Sequence, residues 1–292
     1  MIIQQAYKQL LFQLYEMYDD REAANIADMV IENITSFKKV DRLINKHFSL
    51  SETQLQLLND HTTELLKHKP VQYVLHEAWF AGMKLYVDEN VLIPRPETEE
   101  LVEWIVKTVA SRESSVTSIL DIGTGSGCIP IVLKKKLPSC EIHALDISEA
   151  ALNVAKQNAA TQQTEINFHL LNILEKSSWK QLFRFDIIVS NPPYVKQSEA
   201  SSMQKNVLQY EPHLALFVDD EDALKFYKAI AEFGLQHLNN DRYIFFEINE
   251  MMSAQVFDLL THYGYCDIEL EKDLQNKERM IKATYNTSQR KG

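Results

Sequence analysis

Residues 190–194, Ser-Asn-Pro-Pro-Tyr, bring an unusual set of groups together. Asn191 offers a side-chain amide, Pro192 a carbonyl with no N–H of its own, and Tyr194 a flat ring. Two consecutive prolines neither continue a sheet ladder nor enter a helix interior, so the chain turns sharply here. Two acceptors and a ring face on so rigid a turn suit a planar –NH2 group attached to an sp2 carbon. A tight loop without a ligand is the plain alternative, and the tetrapeptide alone does not separate the two.

A second concentration of chemistry lies upstream. The chain has seven glycines, and three of them fall in Asp121-Ile122-Gly123-Thr124-Gly125-Ser126-Gly127. Glycines so placed, after a strand and before a helix, allow a ligand to approach the backbone closely. A dinucleotide fingerprint would need its third glycine at position 128, which is Cys128. Asp146 ends the next expected strand, about 20 residues on, where an acid receives ribose hydroxyls in such folds. A nucleoside without a pyrophosphate fits this spacing better than NAD. S-adenosylmethionine has that shape, with a charged amino-acid end to set against the glycine turn and Asp121.

These groups need strand ends to hold them. The expected strands are Ser118–Asp121, Glu141–Leu145, Ile166–Leu171, Phe185–Val189 and Tyr243–Ile248, with helices at 128–136, 148–161, 222–238 and 253–263 between them. A terminal pair follows at Asp267–Glu271 and Arg279–Thr284. Such alternation implies an α/β fold: a mostly parallel sheet covered on both faces, with an antiparallel pair at one edge. Ligands bind outside the carboxyl ends of parallel strands. The glycine turn, Asp146 and Asn191–Tyr194 all lie at such ends, so one crevice would hold a methyl donor and a trapped –NH2. That pairing implies methyl transfer to a conjugated nitrogen.

Residues 1–69 lack proline and glycine. Apolar residues recur there at helical spacing, through Ala6, Leu10 and Leu14 and again through Ala23, Ile26, Ala27, Val30, Ile31 and Ile34. Ser51-Glu52-Thr53-Gln54 reads as a capping box. A small helical bundle over 1–70 is expected, with its aromatic stripe (Tyr7, Phe12, Tyr15, Tyr18) in the core. A β-hairpin linker over 71–93 follows, then the catalytic domain over 94–286 and a frayed tail over 287–292. Pro96, Glu97 and Glu99 suit a helix start; Arg95 beside them has no such reason. Val195–Ala215 is long for a loop in a compact domain and suits a lid or recognition segment.

Composition narrows the setting. A net charge of −11 disfavours sequence-independent binding to a phosphate backbone. No apolar run approaches the ~18–20 residues of a membrane span, and the N-terminus lacks the pattern of a signal peptide. Three cysteines without CxxC spacing argue against both a disulfide framework and a zinc site, so no metal is expected and the compartment is read as the cytoplasm.

Several strings resemble one family. Asp121–Gly127 is similar to the first motif of class I methyltransferases, and Asn191-Pro192-Pro193-Tyr194 to the amino-methyltransferase tetrapeptide shared by adenine-N6, guanine-N2 and glutamine-N5 enzymes. More restrictive is Val91-Leu92-Ile93-Pro94-Arg95-Pro96-Glu97-Thr98-Glu99. It resembles the signature of the peptide chain release factor glutamine N5-methyltransferases (HemK/PrmC), as do Pro70–Val74, Tyr210-Glu211-Pro212, and Lys272-Asp273-Leu274 with Glu278-Arg279. The resemblance covers roughly residues 68–285. It implies a Rossmann-like, seven-stranded class I methyltransferase domain behind a helical N-terminus. It also implies methylation of the Gly-Gly-Gln glutamine of class I release factors. A monomer is expected, and composition and charge argue against a membrane or a stable nucleic-acid partner. By the same resemblance, Asp121, Gly123, Thr124, Gly125, Gly127, Asp146, Ile147, Asn172 and Asn191 would bind S-adenosylmethionine. Asn191, Pro192, Pro193, Tyr194, Arg95 and Glu97 would meet the substrate, with Asn191, Pro192 and Tyr194 catalytic. His169 and His213 are read as structural or solvent-facing. The chain departs from the family pattern at His76, Asn172, Asn239-Asn240-Asp241 and Asn249. The rival readings are a nucleic-acid amino-methyltransferase, a non-catalytic nucleoside-binding regulator and, disfavoured by glycine spacing, a Rossmann dehydrogenase.

Overall fold

The structure, a computed structural model, describes residues 1–111 and 116–286; the expected tail at 287–292 lies outside the described residues. The chain divides into two compact units, one of residues 1–77 with 203–210, the other of 78–202 with 211–292.

The first unit is helical: α1 (Ile3–Leu14), α2 (Asp20–Thr35), α3 (Lys39–Ile44), α4 (Glu52–Leu65) and α5 (Val71–Leu75). Asp19 caps α2 by accepting from the amides of Arg21 and Glu22, and Ser51 with Gln54 forms the capping box of α4. The apolar stripes of α1 and α2 meet in one core that includes Leu10, Leu14, Ile26, Val30 and Leu65. The aromatic stripe does not belong there as a whole. Tyr7 and Tyr18 pack against that core, but Phe12 is 73% exposed and Tyr15 45%. Phe12 and Tyr15 fall outside the stripe of α1 that Ile3, Ala6, Leu10 and Leu14 bury. Residues 71–75 are helical rather than part of the hairpin. His76 ends α5 in the left-handed region (φ 53°), where glycine is the usual residue.

The second unit opens with the hairpin β1 (Ala78–Phe80) and β2 (Met83–Leu85), joined at Ala81-Gly82 with both φ values positive. There follow α6 (Pro96–Ala110), β3 (Ser118–Ile122), α7 (Cys128–Lys136), β4 (Glu141–Asp146), α8 (Glu149–Thr161), β5 (Asn167–Leu170) and β6 (Phe185–Ser190). The region 195–215, expected to be a long loop, holds short elements: β7 (Val195–Lys196), a 3-10 turn, α9 (Lys205–Tyr210) and most of α10 (His213–Leu216), with β8 (Phe217–Val218) directly after it. Of these, α9 belongs to the helical unit, where Tyr210 Oη donates to the Lys67 carbonyl at 2.9 Å. Then come α11 (Lys225–His237), β9 (Leu238–Glu247), α12 (Ser253–His262), β10 (Cys266–Lys272) and β11 (Glu278–Tyr285).

The sheet order is β10-β11-β9-β6-β3-β4-β5, with β9, β6, β3, β4 and β5 parallel and β11 antiparallel to both neighbours. Side chains alternate across it. Ile188, Ile244 and Phe246 pack with α11 and α12, while Ile187, Val189 and Phe245 pack with α6 and α7. β9 starts five residues before the expected Tyr243, because Leu238 pairs with Phe185 and the irregular stretch after it rejoins at Tyr243 opposite Ile187. Asp241 takes a positive φ (58°) within that stretch. Chain direction across the sheet reverses between β3 and β6, which makes their carboxyl ends the switch point. Among the described residues, no helix is long and apolar enough to cross a membrane, and no group of three or more His, Cys, Asp or Glu could hold a metal. Cys128, Cys140 and Cys266 are free.

Candidate active site

The glycine turn leaves β3 at the switch point. The amides of Gly123 and Thr124 both donate to the Leu145 carbonyl, at 2.9 and 3.1 Å, and Gly127 N donates to the Thr124 carbonyl at 2.9 Å. Gly123, Gly125 and Gly127 all have positive φ, between 52° and 80°. A Cβ on Gly127 would meet Ala155 Cβ at 3.0 Å, so that glycine also lets α7 approach α8. A Cβ on Gly123 or Gly125 would meet nothing within 4 Å, which leaves space beside the turn.

Asp146 ends β4 next to that space. Its Oδ2 accepts from Gly125 N at 2.9 Å and its Oδ1 from Ser148 N at 2.9 Å. Each oxygen keeps lone-pair capacity for a hydroxyl donor. Burial pushes its carboxyl up, against the pull of those amides. Asp121 lies under the glycine turn with no exposed surface, and neither of its oxygens has a hydrogen-bond partner; the buried Thr124 Oγ1 has none either. Burial pushes the Asp121 carboxyl up to about 7; the neighbouring Thr124 hydroxyl opposes this, and the charge of Asp146 adds to it. Buried acceptors left without donors are costly, and a cationic N–H donor would answer both.

An apolar cleft joins these strand ends. Gly123, Gly125, Asp146, Ile147, Asn172, Asn191, Pro192 and Pro193 line it, together with Leu171, Ile173, Phe226 and Ile230. Asn172 spends its side-chain oxygen on the Leu174 amide at 3.0 Å. Asp121, Thr124, Gly127, Arg95, Glu97 and Tyr194 are not on the cleft wall. Tyr194 is partly buried against the core on the α11 side of the sheet, and burial, then the Glu247 carboxylate, pushes its phenol up.

Asn191 follows β6, whose last residue, Ser190, donates through Oγ to the Ile122 carbonyl at 2.7 Å and so ties the tetrapeptide to β3. Asn191 Nδ2 donates to Thr98 Oγ1 at 3.3 Å, and Thr98 Oγ1 donates to Glu247 Oε2 at 2.6 Å. Glu247 is 2% exposed at the end of β9, and burial pushes its carboxyl up to about 7. No role for Thr98 or Glu247 follows from the sequence alone. Arg95 finds its reason in Glu211, an ion pair at 2.5 Å; Glu211 is buried and also accepts from Ile93 N at 3.2 Å. Glu99 accepts from Ala81 N at 2.8 Å and anchors the hairpin. His169 pairs with His143, ring nitrogens 2.9 Å apart, at the far edge of the sheet, while His213 is exposed.

Residues 99–214 match the family described as methyltransferase small domain. Among solved structures, the hMettl16 catalytic domain in complex with MAT2A 3'UTR hairpin 6 shares the fold at a TM-score of 0.53, with 16% identity over 83% of this chain and 85% of that one. Fold and strand-end site together define a class I methyltransferase. The nearer relatives are narrower. The chain is 42% identical to the release factor glutamine methyltransferase of Flavobacterium psychrophilum over 98% of its own length and 100% of that protein. It is 37% identical to that of Bacteroides thetaiotaomicron over 92% and 95%. The chain belongs to the release factor glutamine methyltransferase family.

Proposed function

We propose that the protein methylates N5 of the glutamine side chain in the Gly-Gly-Gln motif of class I peptide chain release factors, with S-adenosylmethionine as donor. One observation carries the chemistry: Asn191 stands at the switch point with its NH2 engaged by Thr98, so its amide oxygen is left for a substrate N–H. Asp146 would hold the ribose hydroxyls and the glycine turn the charged amino-acid end, whose ammonium is favoured by the unpaired Asp121 carboxyl buried behind the cleft wall. Bound there, S-adenosylmethionine supplies an electrophilic methyl group on a sulfonium centre.

A carboxamide nitrogen is a poor nucleophile because its lone pair is delocalised into the carbonyl. As it gains a methyl group it becomes transiently cationic, and its N–H groups become stronger donors. Asn191 Oδ1 and the Pro192 carbonyl accept from those N–H groups and stabilise the developing charge, which is electrostatic preorganisation. The same two contacts hold the nitrogen in line for attack, a proximity effect. No dedicated base is needed, since an N-protonated amide loses its proton readily to water. Arg95 and Glu97 stand at the start of α6 and order the wall that the substrate meets.

The helical unit, which carries no catalytic constellation, is assigned to recognition of the protein substrate. The enzyme acts in the cytoplasm as a monomer. Incubation with labelled S-adenosylmethionine and purified release factor, followed by mass spectrometry, tests the activity. Label on the Gly-Gly-Gln glutamine is expected, and label on RNA or DNA but not on release factor would overturn it.

A further inference from the structure

Thr98 touches both Asn191 and Glu247 with one oxygen. A hydroxyl has a single proton to give. With that proton committed to Glu247 Oε2 at 2.6 Å, Thr98 Oγ1 faces Asn191 with lone pairs only. Only the NH2 end of the Asn191 amide can then approach it, as it does at 3.3 Å. The backbone on both sides is held. Thr98 N donates to the Arg95 carbonyl at 3.1 Å in the first turn of α6. Glu247 pairs with Met280 across β9 and β11, and its carbonyl accepts from Tyr227 Oη at 3.0 Å.

We infer that Thr98 and Glu247 are positioning residues: a one-way hydrogen-bond chain from Asn191 Nδ2 through Thr98 Oγ1 to the Glu247 carboxylate fixes which end of the Asn191 amide faces the substrate. The inference rests on the reading of Asn191 as acceptor for the glutamine N–H. Its polarity depends on Glu247 being ionised. A protonated Glu247 donates to Thr98 Oγ1, which frees the Thr98 hydroxyl to donate to Asn191 Oδ1. The amide then turns over and sets NH2 against the substrate NH2, donor against donor. The groups that face Glu247 are Thr98 and Glu97 on α6, Asn191 and Tyr194 after β6, Cys128 on α7, Tyr227 on α11 and Arg279 on β11. Burial holds Tyr194, Tyr227 and Cys128 neutral, so the net charges that remain are Arg279, which favours the carboxylate, and Glu97, which opposes it. Burial is the largest influence and keeps Glu247 near 7, where its proton is exchanged in the neutral range.

The test is single-turnover methylation of release factor by the full-length protein, kept saturated with S-adenosylmethionine at every pH, across the neutral pH range. For the wild type, the rate falls on the acid side with a midpoint near 7. Glu247→Gln loses that acid limb and is slower by roughly tenfold to 100-fold at alkaline pH, the scale of a misplaced reacting group. Thr98→Val, which keeps the shape and removes the hydroxyl, is slowed as much. Thr98→Ser retains the rate. In all three, KM for release factor and calorimetric affinity for S-adenosylmethionine stay near wild type. Wild-type rates and pH profile in both Glu247→Gln and Thr98→Val overturn the inference, and so does a Thr98→Ser variant as slow as Thr98→Val. A wild-type profile that is flat across the neutral range overturns it without any variant. If the wild type methylates no glutamine, the proposed activity fails as well, so the two failures are told apart.

Discussion

Asp121 carries a carboxyl that no protein group answers, and this has a definite sign in the free protein. Its proton is held in the folded state up to about 7, against an ordinary value of 3.8. Between those values the unfolded chain has already lost the proton that the folded chain keeps. Stability contributed by the group is therefore present at low pH and is lost as pH rises through that window. Asp121→Asn is expected to raise the melting temperature of the free protein at pH 8, by up to a few kcal/mol in stability, while weakening S-adenosylmethionine binding. Wild-type affinity should in turn tighten as pH rises through the neutral range, because an ammonium favours the ionised carboxylate. Calorimetry in buffers of different ionisation enthalpy would show the released proton. Asn191→Ala is the complementary test. Loss of one transition-state hydrogen bond predicts a fall in kcat of roughly 10²–10³ with little change in cofactor affinity; a near-wild-type single-turnover rate would return the tetrapeptide to a plain turn.

Two glycines show how helices are set against their neighbours. Gly127→Ala would force a left-handed alanine against Ala155. A cost of roughly 1–2 kcal/mol from backbone strain alone is expected, visible as a lower urea midpoint and weaker cofactor binding. Gly234→Ala in α11 is harsher: its Cβ would lie 2.2 Å from Tyr265 Oη, whose hydrogen bond to the Ala231 carbonyl would be broken. Overpacking and the lost bond together predict roughly 2–5 kcal/mol. Gly127 could be read from the sequence, since it sits between an apolar strand and an apolar helix. Gly234 could not, because Tyr265 reaches it from 31 residues away. The same divide runs through the site. Asp121, Asp146 and Asn191 were legible because each follows a β-branched or apolar strand and precedes a turn. Thr98, Glu211 and Glu247 were not: their partners lie 93 to 149 residues away, and only the strand order brings them together. Phe12 and Tyr15 are aromatic yet exposed, because position relative to the buried stripe of α1, not aromatic character, decides burial.

At the scale of the molecule, the groups assigned to chemistry all lie in the second unit, while α9 leaves that unit's stretch of chain and belongs to the helical one. A protein lacking residues 1–77 is expected to keep its S-adenosylmethionine affinity and to methylate release factor poorly when the factor is limiting. Equal rates for truncated and full-length protein at limiting release factor would remove the helical unit from recognition. The order of the sheet has a separate consequence. β11, the last of the described strands, is seated between β9 and β10 rather than at the edge. Its Arg279 carbonyl accepts from Ile248 N at 2.8 Å, directly after Glu247. On the ribosome, β3 to β6 and the glycine turn emerge long before residues 278–285. A nascent chain can therefore assemble the half assigned above to donor binding early, yet Glu247 then has no strand on its outer side and β10 has no neighbour to pair with. Truncated translation products would thus carry a donor pocket without a braced acceptor, and the enzyme becomes competent only when its own synthesis has passed β11.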